Sequence, residues 1–197
     1  MTSQEESAYI TAVLEGNTQA YAYLINKHKS LVYSLCLKIT KNKEDAEEVA
    51  QDVFLKAYQQ LNTFKRDSKF ATWLYRIAYN TSLNKIKRKK VWQESIHQDD
   101  EDHPTLQIED TTFENQFDLL NLAEKRKYIQ IAMQALSEQD AVIITLFYFA
   151  EHNLEEIAEV TGIDKNNVKI KLHRARKKLY NELSCLLPKK ELETLIG

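Results

Sequence analysis

Three glycines and two prolines in 197 residues leave this chain little with which to build hairpins. That scarcity constrains its fold more than any other feature, because Gly and Pro punctuate strands and tight turns. Ala, Leu, Lys, Glu and Gln are plentiful instead, and all are good helix formers. Helical periodicity runs over residues 4–15, 18–40, 43–61 and 70–90. Gly16 is placed to cap the first of these helices, and Asn17 or Thr18 to open the second. No strand-like alternation competes, so the expected class is all-α. The same scarcity argues against an enzyme: Gly16, Gly162 and Gly197 cannot form a phosphate-cradling loop, and no nucleophile–base motif is present. No cofactor and no metal are expected.

The net charge of −2 conceals a division. Residues 1–90 carry fifteen basic and nine acidic side chains, residues 91–124 carry ten acids and no Lys or Arg, and residues 125–197 carry twelve basic and ten acidic. The sign changes within "NKIKRKKVWQESIHQDDEDH", residues 84–103. The middle block holds Pro104 and lacks helical periodicity until about Asn115, so it reads as a linker. The expected organisation is a helical domain at 1–90, an acidic flexible linker at 91–115 and a second helical domain at 116–197. His97, His103, Asp99, Asp100 and Asp102 in the linker read as solvating charge rather than as metal ligands.

No apolar run approaches the roughly 18 residues of a membrane span. The start, "MTSQEESAYI", lacks the cationic and apolar segments of a signal peptide. Cys36 and Cys185 are far apart within helical patterns and read as buried thiols. A cytoplasmic protein without membrane insertion is expected.

Two helices of the first block carry a core stripe and a second, polar face. In "KEDAEEVAQDVFLKAYQQL", Ala46, Val49, Ala50, Val53, Phe54, Ala57 and Leu61 follow the helical period. The opposite face holds Glu48, Gln51, Asp52, Leu55 and Gln59, a leucine set among acids and amides. In "KFATWLYRIAYNTSLNKIKRKK", Phe70, Leu74, Ile77 and Thr81 form one stripe, and Trp73, Arg76, Asn80, Asn84 and Lys87 form another a quarter-turn away. An indole, amides and cations together suit a nucleic-acid strand: cations hold phosphates, amides read base edges, and aromatic faces accept unstacked bases. Arg88 extends the basic end, and the preceding loop adds Phe64, Lys65, Arg66, Asp67 and Ser68.

The last block contains a helix-turn-helix. "SEQDAVIITLFYFAE" begins with Ser137 and Asp140 in a variant capping box. It is followed by "LEEIAEVTGIDKNNVKIKLHRARKKL". Ala158 is small enough for close packing, Gly162 allows the positive φ of the turn, Ile163 plugs it, and Asp164 caps the next helix. Val168, Leu172, Ala175 and Leu179 form the buried stripe of that helix. Its outward face carries Lys165, Asn166, Asn167, Lys169, Ile170, His173, Arg174 and Lys177. Asn pairs with adenine, Arg with guanine, and an exposed Ile touches a thymine methyl.

On these residues the chain resembles the extracytoplasmic-function (ECF) class of bacterial sigma factors over nearly its whole length. "EDAEEVAQDVFLKAYQQLNTF" is similar to that family's polymerase-binding helix, "FATWLYRIAYN" to its −10 recognition helix, and the helix-turn-helix to its −35 reader. The resemblance implies a transcription initiation factor with core RNA polymerase and promoter DNA as partners, usually with an anti-sigma factor. Gln51, Asp52 and Leu55 would dock on the polymerase clamp helices. The loop at Phe64 to Ser68, with Asn80, would trap a flipped −10 base. Lys169, Ile170, His173 and Arg174 would enter the −35 groove, although Ile170 and Lys171 stand where the family often has Ser and Arg. The acidic connector would thread through basic channels of polymerase. The alternative is a stand-alone helix-turn-helix regulator binding duplex DNA, which leaves residues 43–90 without a role.

Overall fold

A computed structural model describes residues 3–96 and 119–187. Among these the chain is all-α: α1 (Ser3–Leu14), α2 (Gln19–Thr40), α3 (Lys43–Gln59), α4 (Phe70–Ile96), α5 (Leu119–Gln134), α6 (Glu138–Tyr148), α7 (Leu154–Thr161) and α8 (Lys165–Leu186). Helix ends follow local chemistry. Gly16 takes φ +100° just after α1, and Asn17 Oδ1 accepts a hydrogen bond from the amide of Ala20. Asn42 caps α3 by accepting from the amide of Asp45 at 2.8 Å.

Helices α2, α3 and α4 pack mutually and supply most of the first block's core. Leu24, Val32 and Leu35 of α2 meet Val49, Val53 and Ala57 of α3 and Leu74 and Ala78 of α4 in one buried cluster. The stripe expected on α3 is buried or half-buried throughout. Leu74 has no exposed surface, so Leu74→Ala should destabilise the chain by about 2–5 kcal/mol, from lost transfer energy plus a cavity. Chemical denaturation would measure it.

On α4 burial reaches well beyond the expected stripe. Thr72, Trp73, Tyr75, Ala78, Tyr79 and Ser82 are buried as well, because α2, α3 and α7 all pack on this one helix. A polar chain crosses the core here: Glu6 Oε1 lies 2.6 Å from His28 Nε2, and His28 Nδ1 lies 3.1 Å from the Tyr75 hydroxyl. Burial pushes the Glu6 carboxyl up, but the hydrogen bonds and charges of His28 and Lys27 outweigh it and hold it below the usual range.

In the second block α6 is buried almost all round, and α8 packs against α5, α6 and α7. The two blocks also touch each other. Helix α7 lies on α4 and α6 on α2, so that one apolar cluster runs through both.

Two sequence expectations change. Helix α4 is longer than the 70–90 expected and runs to Ile96; the rest of the linker expected at 91–115, with His97 to His103, lies outside the described residues. Cys36 is buried, and burial raises its thiol to about 11. Cys185 is exposed, because it falls on the side of α8 opposite its buried residue Leu183.

Candidate functional site

Three surfaces carry the residues singled out from sequence. The first is on α3. Glu48, Gln51, Asp52, Leu55 and Gln59 are all exposed, and Leu55 presents 56% of its surface to solvent. Leu55 also forms one wall of a shallow apolar depression, with Thr18, Tyr21 and Ile25 of the preceding segment and Phe54 and Tyr58 of α3. Tyr21 is fixed there by donating to the Phe54 carbonyl at 2.6 Å, with its ring edge against Tyr58. The sequence reading found Leu55 but missed Tyr21 and Ile25. No signal in α3 points to them, because they belong to another helix. Glu48 is engaged toward α4, where Lys85 Nζ lies 2.6 Å from its carboxylate.

The second surface is α4 with the loop before it. The stripe expected there divides. Arg76, Asn80, Asn84 and Lys87 are exposed, but Trp73 is only 7% exposed and lies in an aromatic cluster with Phe64 and Phe70. Phe64 is half-buried in the same cluster. Neither ring is presented for stacking in this conformation. The stripe geometry placed Trp73 beside Arg76 correctly, but it could not tell that α4 is covered on more than one side. In the loop, Lys65 and Asp67 are exposed and Ser68 is half-buried. Arg66 takes φ +62°, and its guanidinium donates to the hydroxyls of Ser7 and Thr11 on α1. It is therefore held against α1 rather than extended into solvent.

Four of the five clustered cations divide into two pairs. Lys85 pairs with Glu48 and Asp45, and Lys89 with Asp45 at 2.7 Å, so both clamp α4 onto α3. The Glu48 hydrogen bond holds the Lys85 ammonium above its usual range. Lys87 and Arg88 are exposed and carry no ion pair among the described residues. Lys85 and Lys89 thus serve the fold, while Lys87 and Arg88 present their charge to solvent.

The third surface is α8. Gly162 adopts φ +69° at the end of α7, and Asp164 accepts from the amides of Asn166 and Asn167. Val168, Leu172 and Ala175 turn inward. Lys165, Asn166, Asn167, Lys169, Ile170, His173, Arg174 and Lys177 are all exposed; Lys165 is paired with Glu155. Helix α7 has a full capping box between Asn153 and Glu156. Its signature, Asn with Glu three positions on, stands in the sequence. Ser137 accepts from the amide of Asp140 at 3.2 Å, the half of the expected capping box that the structure displays.

A fourth feature has no counterpart in the sequence reading. Where α7 crosses α4, His152 is buried at 3% exposure. Its Nε2 lies 3.2 Å from the Thr72 hydroxyl, its Nδ1 lies 2.8 Å from the Ala150 carbonyl, and its ring faces Tyr75. Nδ1–H therefore donates to Ala150, and Nε2 faces the Thr72 hydroxyl. Beside it Lys69 pairs with Glu156 at 2.9 Å and Arg76 with Glu159 at 3.8 Å. Burial pushes the Glu156 carboxyl up, but Lys69, the Asn153 amide and His152 together hold it below its usual range.

Two family profiles match the chain: sigma-70 region 2 over residues 24–91 and sigma-70 region 4 over residues 126–179. The chain is also 32% identical over 185 residues to the ECF RNA polymerase sigma factor SigW of Bacillus subtilis, covering 90% of this chain and 96% of that one. The protein belongs to the ECF sigma factors. This ECF sigma factor is 28% identical to the RNA polymerase sigma-H factor of Pseudomonas aeruginosa, over 95% of its own length and 98% of the relative's. Its fold is similar to that of the sigma factor RpoE solved with the anti-sigma factor NepR from Bartonella quintana, with TM-score 0.64 and 19% identity over 84% of this chain and 98% of that one. Region 2 takes in most of α2, all of α3 and most of α4, while region 4 runs from within α5 to Leu179 on α8. Helix α1, which holds Arg66, lies outside both matched stretches. No described helix is long and apolar enough to cross a membrane.

Proposed function

We propose that this ECF sigma factor binds core RNA polymerase through α3, directs it to −35/−10 promoters and promotes strand opening. The carrying observation is the separation of three exposed faces on three helices: an apolar residue among acids and amides on α3, an amide–cation stripe on α4, and a cationic helix-turn-helix face on α8. Glu48, Gln51, Asp52, Leu55 and Gln59 make the polymerase contact. Arg76, Asn80, Asn84, Lys87 and Arg88 meet the −10 strand, joined by the loop at Phe64, Lys65, Arg66, Asp67 and Ser68, with Trp73 supporting from beneath. Lys165, Asn166, Asn167, Lys169, Ile170, His173, Arg174 and Lys177 read the −35 duplex.

The functional units under this proposal are 1–90 and 116–197, with the acidic stretch between them as connector. Sigma factors are transcription initiation factors, and the role proposed for this chain is binding rather than catalysis. The site of action is the cytoplasm. An anti-sigma factor completes the proposed partners, a reading supported by the solved relative's complex with NepR.

Run-off transcription with core polymerase on a genomic promoter library tests the proposal. Transcripts that depend on this protein are expected; duplex binding without any effect on polymerase would favour a stand-alone regulator instead. A finer result is expected on α8. Arg174→Ala should weaken promoter use with base-dependent penalties of about 1–3 kcal/mol per lost base contact. Lys177→Ala should weaken binding evenly across sequences, with a shallower salt dependence. Uniform loss from Arg174→Ala across all −35 variants would make that residue a phosphate contact only.

A further inference from the structure

Helix α1 lies outside both stretches matched by the family profiles, yet it reaches the loop assigned to base capture. The helix is itself firmly seated. Ile10 and Val13 are buried in the core of the first block, and Glu6 is tied to His28 at 2.6 Å and to Lys27 at 3.2 Å. From that base it offers two hydroxyls, one turn apart, to a single guanidinium. Arg66 Nη1 donates to Ser7 Oγ at 3.2 Å, and Nη2 donates to Thr11 Oγ1 at 2.8 Å. The Thr11 hydroxyl donates its own proton to the Ser7 carbonyl at 3.0 Å, so it meets Arg66 as an acceptor.

The residue held in this way would not rest there unaided. Arg66 has φ +62°, a left-handed conformation that is unfavourable for a residue with a Cβ and persists only where the surroundings impose it. On its N-terminal side the loop is anchored separately, by Phe64 packed edge-on to Phe70 and tilted against Trp73. Lys65 and Asp67, on either side of Arg66, are exposed. The guanidinium is thus fastened to α1 while the Arg66 backbone sets the path of its neighbours.

We propose that Ser7 and Thr11 are positioning residues for −10 strand capture: through Arg66 they hold the loop at Phe64 to Ser68 in the backbone path that receives the displaced base. The proposal rests on the −10 reading of that loop given above. Arg66 then acts through backbone shape, and its charge is directed at α1 rather than at a phosphate. These contacts lie at the surface, so their loss should leave melting nearly unchanged. What changes is the fraction of molecules whose loop is ready.

The test is made in the holoenzyme with core polymerase. Anisotropy reads the affinity of a fluorescein-labelled non-template oligonucleotide spanning the −10 element of a promoter recovered by run-off transcription, compared with oligo-dT of the same length. Ser7→Ala/Thr11→Val removes both hydroxyls and no charge. If the freed loop keeps the left-handed Arg66 in about a tenth of molecules, affinity for the −10 strand should fall about tenfold, with oligo-dT binding and salt dependence unchanged. Thr11→Ser, which keeps a hydroxyl, should bind as the parent does. Adding Arg66→Asn to the double variant should restore most of the affinity, since Asn enters the left-handed region several-fold more readily and needs no tie to α1.

Affinity equal to the parent's in a folded Ser7→Ala/Thr11→Val chain overturns the proposal. So does a loss that Arg66→Asn fails to restore, because the strand then needs the guanidinium itself. Lys65→Ala/Asp67→Ala/Ser68→Ala judges the −10 reading of the loop separately. If that variant loses preference for the −10 strand over oligo-dT, the loop reading stands whatever α1 does; if the preference is intact, the reading falls and the proposal with it. Should Ser7→Ala/Thr11→Val lower melting, Thr11→Val alone, at the shorter of the two bonds, replaces it, with the same outcomes at smaller amplitude.

Discussion

Leu55→Arg should abolish co-purification of this sigma factor with core polymerase while leaving helicity and melting nearly unchanged. Leu55 is 56% exposed, and substitutions at exposed positions away from special contacts usually alter stability by no more than about 0.5 kcal/mol. The loss of binding should be far larger. Leu55 projects beside an apolar depression walled by Tyr21, Ile25, Phe54 and Tyr58, within a rim of Gln51, Asp52 and Gln59. An apolar anchor inside a polar rim is the arrangement in which single residues dominate binding, with truncation costing about 2 kcal/mol or more. Arg in its place adds the desolvation of a guanidinium for which the lining of the depression offers no carboxylate. Together these exceed a hundredfold loss, on the order of 3 kcal/mol. Co-purification from cells and a titration of labelled core against the variant would measure it. Normal binding by a folded Leu55→Arg chain would remove α3 from the docking assignment.

What could be read in advance depended on how local the signal was. The helix-turn-helix was legible because its parts lie within a few residues of one another: Gly162 at φ +69°, Asp164 on two amides, and Val168, Leu172 and Ala175 inward. The stripe of α3 was legible for the same reason, since a helix packed on one side shows its packing in its period. Helix α4 defeats that logic at Trp73. Three helices pack on it, so the boundary between buried and open faces is set by neighbours that the periodicity of α4 does not encode. Long-range partners escaped altogether. Arg66 is held by Ser7 and Thr11, Lys85 and Lys89 by acids on α3, and Thr72 by a histidine eighty residues away. Each of these cations and hydroxyls looked equally free in the sequence. The abrupt change of sign after residue 90 consequently has a partly structural origin: two cations of the basic cluster, Lys85 and Lys89, neutralise Asp45 and Glu48 and fasten α4 to α3.

Asn80→Ala should preserve core binding and closed-complex formation but sharply reduce opening of duplex promoters. Asn80 is exposed on α4, one turn beyond Arg76 and one before Asn84, and farther along the helix than Lys69, Thr72 and Arg76, where α7 rests. Its side chain contributes nothing to the core, so the fold should be indifferent to its loss. An amide there can hydrogen-bond a base edge only when that edge is accessible, and a base that leaves the stack sacrifices a few kcal/mol that new partners must offset. Removing one such partner, at about 1–3 kcal/mol for a good pairing, lowers the open population roughly tenfold to a hundredfold. Permanganate reactivity of −10 thymines reads that population directly. A pre-melted bubble should restore transcription only in part, since it supplies the strand separation but not the missing contact. Full restoration by the bubble would mean that Asn80 acts on melting alone, and unimpaired opening of duplex DNA by Asn80→Ala would remove this residue from strand capture.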